Sequence, residues 1–291
     1  MFRDLLRAHK DNGLIMDFAM GPNQGTGVPA RSDSDGLMWD IAAYNVTVAV
    51  GGTFDDILPG WGAGILQAAV TGLVLKSEEA STAEPGLPGD LPRKRTQMIL
   101  STDSLNDVTH EVDDNGHLKV NFPGKPAGLH YNVFAIYLMR SGYRSQDGPL
   151  DIGGPQTPAT TLAGNGSWAV DHFSRLGAET SIEFWETHIL PNGTKELLTE
   201  AGNYGWEDSV EIQSNVYWTK NMMQIFQNEH GYSIAKWFPV LFHRNGHAKN
   251  ADPPVWWITD EPDNGSSHIA DYRTTVSTHP CVFLSRAIGA N

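Results

Sequence analysis

Charged residues and cysteine are both scarce in this chain of 291 residues. Only 19% of the residues are charged, and the single cysteine, Cys281, has no partner for a disulfide bond within the chain. Glycine (30) and proline (17) are frequent, which indicates many turns and loops rather than a coiled coil or a disordered tail. With 40% hydrophobic residues, the chain can bury one large core or two smaller ones.

Basic residues and long apolar runs are also few. The net charge of −14 and the pI near 5.1 argue against nucleic acid or an anionic membrane as a partner, because both would repel an acidic surface. The best apolar candidate, Ile65 to Leu75, contains Gln67 and Thr71 and falls short of the roughly 20 residues that span a bilayer. We therefore expect no membrane partner, and the acidic balance fits a neutral substrate.

The chain has more potential N-glycosylation sites than chance would supply. Four Asn-x-Ser/Thr sequences occur, at Asn45, Asn165, Asn192 and Asn264. The N-terminal stretch is amphipathic and charged, so it does not have the apolar core of a signal peptide. We interpret this combination as a secreted glycoprotein whose first segment is missing.

Hydrophobic periodicity predicts helices alternating with strands. Helical spacing covers 2–11, 61–76, 168–176, 180–189, 218–230 and 232–242, and short apolar runs predict strands at 14–20, 46–50 and 255–258. Four strand candidates at 98–100, 108–112, 118–122 and 131–139, separated by turn signals, indicate a small β-rich insert. Because acidic clusters follow the strands, this order predicts the α/β class: a partial (β/α)8 TIM-like barrel with a small β-rich insert.

Two acidic clusters follow strand-like segments. The first is Trp206-Glu-Asp-Ser-Val-Glu211, with Trp218 soon after it, and the second is Asp260-Glu-Pro-Asp263. Cleavage of a glycosidic bond needs two carboxyl groups, one to donate a proton and one to activate water or attack carbon, and tryptophan can stack on the apolar face of a sugar. The alternatives stay open, since the first cluster also fits an acidic helix N-terminus and the second an ordinary acidic turn.

The glycine-rich loop 21–27 is a third candidate, because the side-chain amides of Asn23 and Gln24 can hydrogen-bond to sugar hydroxyls; such loops are also common scaffolding. Two other patterns predict no site. His243 and His247 have the spacing of metal ligands, but Gly246 weakens the helix that a zinc site would need. The segment Gly60-Trp-Gly-Ala-Gly64 has neither the preceding strand nor the spacing of a dinucleotide-binding loop.

Several motifs between 98 and 244 match the pattern of a known family. In the insert and just after it they are Ser104 to Thr109, Asp114 to Leu118, Phe122 to Gly124, Asn132 to Tyr137 and Val170 to Phe173. The most specific block is Asp208-Ser-Val-Glu211, Trp218-Thr219, Phe226, Gly231-Tyr232 and Phe238-Pro239. The chain thereby resembles glycoside hydrolase family 106, the α-L-rhamnosidases, and in particular fungal secreted proteins described with a family 2-type sugar-binding domain, of which Asp17 to Ala30 is typical.

This resemblance implies a (β/α) barrel that hydrolyses terminal α-L-rhamnosides or related sugars with inversion, acting on an oligosaccharide or plant glycoside. It also implies an associated calcium ion, for which no residue is assigned here as a ligand. By motif match, Glu211 and Asp208 carry over as active-site acids. The strand-following Glu261 is a further candidate carboxylate, and five residues are expected to position the sugar: Asn23, Gln24, Trp206, Trp218 and Asp260.

The resemblance further implies that family members extend beyond both ends of this chain, so we expect the activity of the chain alone to be impaired. The predicted organisation is an N-terminal part of the barrel (1–97), the β-rich insert returning to a barrel strand (98–140), a continuation of the barrel (141–276) and a tail that does not match (277–291). The alternatives are a non-catalytic carbohydrate-binding or degenerate glycosidase-like protein, and a fragment without function.

Overall fold

The structure is a computed structural model that describes residues 1–20, 27–81, 94–146, 166–206, 214, 216–242 and 255–278. These residues form two compact units, each built from separated stretches of the chain. The first unit contains the described residues of 1–38 and 140–206, and the second contains those of 39–139 and 214–278.

The strands, numbered in chain order, are β1 (Met16–Ala19), β2 (Gly27–Val28), β3 (Trp39–Ala49), β4 (Thr53–Ile57), β5 (Ile65–Ser81), β6 (Lys94–Leu100), β7 (Asn106–Asp107), β8 (His117–Asn121), β9 (His130–Arg140), β10 (Arg144–Gln146), β11 (Ser167–Ala169), β12 (Gly202–Trp206) and β13 (Val255–Thr259). The α-helices are α1 (Phe2–Asp11), α2 (Arg175–Phe184), α3 (Thr194–Ala201), α4 (Met222–His230), α5 (Phe238–Leu241) and α6 (Pro262–Thr278). Short 3-10 turns lie at Thr102–Ser104, Thr109–Glu111 and Ala235–Trp237, and a π-helical turn lies at Trp185–Ile189. Within this described part of the chain, no helix is long and apolar enough to cross a membrane.

The parallel strands β1 and β12 form the centre of the first unit. Helices α1 and α3 contact each other and supply Leu6, Leu198 and Ala201 to a buried cluster with Met16 and Phe18 of β1. The rings of Phe2, Phe18 and Trp185 complete this core. The ring centroids in each pair lie 5.7 to 5.8 Å apart. A second, antiparallel sheet of this unit has the strand order β10-β11-β2.

The second unit contains a large sheet with the strand order β13-β6-β5-β9-β3, and β7 pairs with β5 beside this path. Strand β5 is antiparallel to β6 and β9, whereas β13 is parallel to β6. The antiparallel ribbon β4–β8 contributes Phe54 and Leu118 to a core that also contains Tyr131, Val133 and Tyr137 of β9. Because β9 is buried on both of its faces, its residues from Val133 to Met139 form one continuous apolar run.

The prediction of a partial (β/α)8 barrel is wrong. The sheets of the described residues do not close, and the long strand β5 is antiparallel to both β6 and β9, whereas the strands of such a barrel are all parallel. The error arises at 61–76, which was predicted to be helical and instead leads into β5. A strand that is buried on both faces loses the alternation of apolar and polar residues, so its periodicity does not distinguish it from a helix.

Local predictions have mixed outcomes. The helix at 2–11 and the strands within 14–20, 46–50, 118–122, 131–139 and 255–258 are confirmed. The helix predicted from 168 begins only at Arg175, because Ser174 caps it by accepting a hydrogen bond from the Gly177 N–H. The strand predicted at 108–112 is instead the 3-10 turn Thr109–Glu111. The four predicted segments, with boundaries at 97, 140 and 276, stay a prediction.

Replacing Phe18 of β1 by alanine should lower the free energy of unfolding by about 3 to 5 kcal/mol, because it removes a ring from the buried core of the first unit and leaves a cavity. Urea unfolding followed by tryptophan fluorescence measures the loss. The matched control is Ile15→Ala, an apolar truncation three positions earlier at an exposed site, which should cost less than about 0.5 kcal/mol. Equal losses in the two variants would contradict the assignment of Phe18 to the core.

Candidate functional site

A β-bulge distorts the parallel pair β1–β12. Between the first two paired positions, β12 has one residue more than β1. The Oδ1 atom of Asp17 accepts hydrogen bonds from the Asn203 side-chain amide at 2.9 Å and from the Tyr204 N–H at 3.1 Å. Bulges re-aim side chains and are common beside active sites, which makes this strand pair a candidate site.

The two strands end side by side. Ala19 pairs with Trp206, and the Met20 N–H donates to the Trp206 carbonyl oxygen at 2.9 Å. The indole Nε1 of Trp185 donates to the Met20 carbonyl oxygen at 3.3 Å, which ties this end to the aromatic core of the unit. Met20 and Trp206, the last described residues of these two stretches, are therefore neighbours at one end of the pair.

Two large aromatic side chains are exposed on β12 at this edge. Tyr204 is 69% exposed and Trp206 is 50% exposed. On the inner face, a Cβ at Gly205 would lie 3.1 Å from the ring of Phe18, so the core fills the space beneath the strand. Trp206, one residue further along, projects to the opposite face. The indole is thus available to stack on a ligand.

Four of the sequence-predicted site residues lie outside the described residues. Asn23 and Gln24 follow Met20 in the sequence, and Asp208 and Glu211 follow Trp206. Their assignment to a sugar site stays a prediction, whereas the two strand ends from which they continue are described.

Trp218 is placed in the core of the second unit, at 1% exposure. Its ring packs against Phe238 at a centroid distance of 5.1 Å and stacks with Tyr272 at 6.1 Å. A side chain that is covered on all sides cannot contact a sugar in this conformation. The structure therefore gives Trp218 a packing role, and its sugar-positioning role stays a prediction from the sequence.

Asp260 follows β13 as the sequence predicts, and its carboxylate is used by a neighbouring turn. The Oδ1 atom accepts hydrogen bonds from the Thr102 N–H at 2.8 Å and from the Thr102 hydroxyl at 2.7 Å. Partial burial alone would raise the pKa of Asp260, but these hydrogen bonds lower it below its ordinary value. Asp260 is therefore an ionised acceptor that also braces the 3-10 turn after β6.

Glu261, next in sequence, is exposed at the start of α6. Its carbonyl oxygen accepts hydrogen bonds from the Asn264 and Gly265 N–H groups, both at 3.1 Å, which is the arrangement of a residue that precedes a helix. The side-chain Oε2 accepts from the Asn264 amide at 3.3 Å. Asp260 and Glu261 belong to the second unit, whereas Trp206 belongs to the first.

A hydrogen-bonded network that sequence analysis missed joins the loop after α4 to α6. The Tyr232 hydroxyl donates to Asp271 Oδ2 at 2.8 Å and lies 2.7 Å from His268 Nδ1, while His268 Nε2 lies 3.0 Å from Asn264 Oδ1. The ring of Trp237 stacks on His268 at 3.8 Å. The signal in the sequence was faint: Asn264, His268 and Asp271 lie on one face of a helix, but Tyr232 is more than thirty positions away.

Burial controls the titration of this network. It lowers the pKa of His268; the Asp271 carboxylate opposes this effect and the Lys236 charge adds to it. Burial and the hydrogen bond to Asp271 raise the pKa of Tyr232. The neutral forms of both rings are therefore favoured in the folded unit.

Within the described ranges, no group of three or more His, Cys, Asp or Glu side chains is arranged to hold a metal ion. The calcium ion that the family resemblance implies stays a prediction.

Comparison with known proteins does not assign this chain to a family. No protein-family model matches the chain, and a search of the curated proteins finds no match. Among the solved structures that match is a rhamnosidase from Novosphingobium sp. PP1Y, with 12% sequence identity and a TM-score of 0.47. The match covers 98% of this chain and 39% of that chain, so this chain spans about two fifths of its length. A similarity of this size does not establish a shared function.

Stability should fall on acidification, with His268 contributing to the fall. The pKa of His268 in the folded unit is lower than the value of about 6.5 in an unfolded chain. The contribution of His268 to the free energy of unfolding is therefore fully present above pH ~6.5 and is lost as the pH falls through the pKa of the folded unit. Thermal melts at pH 7.5 and pH 5 should therefore differ less in His268→Gln than in the wild type. His110→Gln, an exposed histidine of the same unit, is the control and should leave the difference unchanged.

Proposed function

We propose that this chain binds carbohydrate at the β1–β12 edge and that the residues following the two strands hydrolyse a glycosidic bond. The supporting observation is the common end of the strands, where the half-exposed Trp206 pairs with Ala19 and its carbonyl accepts from Met20. Asp208 is two residues beyond Trp206, and Asn23 and Gln24 are three and four beyond Met20. The proposal therefore rests on how few residues separate these positions from the two described strand ends.

The proposed chemistry uses two carboxyl groups. One donates a proton to the leaving oxygen, and the other activates water on the opposite face of the sugar. Glu211 is proposed as one of them and Asp208 as its partner, both by motif match. Glu261 stays a prediction from the sequence. Asp260 is a poor proton donor, because the hydrogen bonds from Thr102 keep its pKa low.

The finer proposal is a terminal α-L-rhamnoside of an oligosaccharide or plant glycoside as substrate. It rests on the resemblance of the segment from Asp208 to Pro239 to family 106, and secretion of the protein is proposed on the four glycosylation sequences. No step of this mechanism involves calcium. The acidic balance of the chain supports a neutral substrate of this kind over a phosphorylated one.

A second candidate function is carbohydrate binding without hydrolysis. The exposure of Tyr204 and Trp206 on one strand favours it, because stacking on a sugar needs these rings and no catalytic carboxylate. Binding without turnover is the outcome that separates this function from the first.

Glu211→Gln should reduce the release of an aryl leaving group from an aryl α-L-rhamnoside by about 100-fold or more, since the amide keeps the shape of the side chain but cannot transfer the proton. Glu207→Gln, which removes a carboxylate four positions earlier in the same segment, is the matched control and should retain activity. Wild-type turnover by Glu211→Gln would refute the catalytic role. A wild-type chain that binds rhamnoside but releases no product would favour the second function.

Trp206→Ala should weaken sugar binding about tenfold, seen as a higher KM or Kd, because one stacking contact is worth on the order of 1 kcal/mol. Leu176→Ala removes an apolar side chain of similar exposure from the same unit and should leave the constant unchanged. Isothermal titration with methyl α-L-rhamnoside measures both variants. Equal affinities of Trp206→Ala and the wild type would remove Trp206 from the site.

A further inference from the structure

The turn after β4 displays a tryptophan on the surface of the second unit. Gly60 and Gly62 have φ angles of +74° and +89°, a conformation that residues with a side chain rarely adopt. Gly64 lies so close to β9 that a Cβ there would be 2.2 Å from the Leu138 carbonyl oxygen. The absence of side chains at these three positions permits the backbone path on both sides of Trp61.

The indole of Trp61 is supported on one side and open on the other. A Cβ at Gly116 would lie 2.1 Å from the indole, so the ring packs directly on the backbone of that glycine. The buried ring of Tyr137 meets it edge-on at 6.5 Å. Even so, Trp61 remains 41% exposed. A ring that is held in this way needs little ordering when a ligand stacks on it.

Tyr44 of β3 packs against the residue that precedes Trp61 and shares Tyr137 with it as a neighbour. A Cβ at Gly60, the neighbour of Trp61, would lie 2.4 Å from the Tyr44 ring, and Tyr44 meets Tyr137 edge-on at 5.8 Å. Tyr44 is 38% exposed, and its hydroxyl makes no hydrogen bond within the described ranges of the chain. The surface therefore combines two aromatic rings with a hydroxyl group that is available to a ligand.

We propose that Trp61 and Tyr44 form a stacking surface for a neutral saccharide, called here the turn surface. Exposed aromatic rings stack on sugars, on nucleobases and on proline-rich peptides. The net charge of −14 disfavours nucleic acid. A saccharide offers an apolar ring face for the indole and hydroxyl groups for the tyrosine. This surface goes beyond the proposed hydrolysis, because it lies in the other unit and needs no carboxylate.

The same contacts would exist if Trp61 served only to cover Tyr137, so the test must separate packing from stacking. Trp61→Leu keeps an apolar cover over Tyr137 but removes the flat ring. Trp61→Tyr keeps a ring and should rescue binding. Ile65→Ala, a truncation at an exposed apolar residue of the same unit, is the matched control.

Affinity electrophoresis of the full chain in gels that contain galactomannan, arabinoxylan or β-glucan, all neutral polysaccharides, is the experiment. We expect at least one polysaccharide to retard the wild type, and the apparent Kd to rise about tenfold in Trp61→Leu with the melting temperature little changed. Trp61→Tyr and Ile65→Ala should migrate close to the wild type. The proposal is overturned if no polysaccharide retards the wild type, if Trp61→Leu is retarded equally, or if a proline-rich peptide binds in its place and depends on Trp61.

Failure of this proposal is distinguishable from failure of the proposed function. Retardation that depends on Trp61 but survives in Trp206→Ala and Glu211→Gln supports the turn surface whether or not the chain hydrolyses a rhamnoside. Hydrolysis that depends on Glu211, without any effect of Trp61→Leu on retardation, would overturn the turn surface and leave the proposed hydrolysis standing.

Discussion

The backbone pairing of β1 with β12 is the constraint on which the candidate site depends. Side chains alternate between the two faces of a strand, so a shift of one residue in this pairing would turn Trp206 into the core and Gly205 outward. Phe18 opposes that shift, because its ring fills the space beneath Gly205. The indole of Trp185 holds the other strand end through the Met20 carbonyl. The core of the unit thereby determines which aromatic side chain of β12 is left for a ligand.

Local elements could be predicted from the sequence wherever one signal dominated. The helix from Phe2 to Asp11 has a clear apolar face and a glycine after it, and β13 is a short apolar run bounded by proline and acidic residues. The pairing of strands could not be predicted in the same way. Strand β5 lies in the interior of the sheet, and its mostly apolar residues from Ile65 to Leu75 fit a helix equally well. A helix at 61–76 would alternate with the neighbouring strands as in a barrel, so the wrong assignment of β5 also accounts for the wrong fold class.

Exposed and buried candidates were separable only after burial was known. Trp206 and Trp218 are the same residue type in one stretch of sequence, yet the first is half exposed and the second is fully covered. The role of a carboxylate likewise depends on contacts that the local sequence does not reveal. Asp260 stands after a strand as a catalytic acid would, but the sequence gives no indication that Thr102, more than a hundred positions away, holds one of its oxygens. Long-range contacts of this kind decide the role of a residue and leave no trace in local spacing.

An exposed tryptophan lacks the favourable free energy that burial of its ring would contribute, so its exposure has a measurable cost in stability. A tryptophan buries roughly 150 to 250 Å² when covered, so a half-exposed ring leaves on the order of 100 Å² in water, worth about 2.5 kcal/mol at 25 cal/mol per Å². Single exposed apolar residues are common and need no explanation. Trp206 and Trp61 differ from that background because glycines beside them let aromatic rings pack directly against the backbone. A ring that the fold holds in place while leaving one side in water is what a stacking ligand requires.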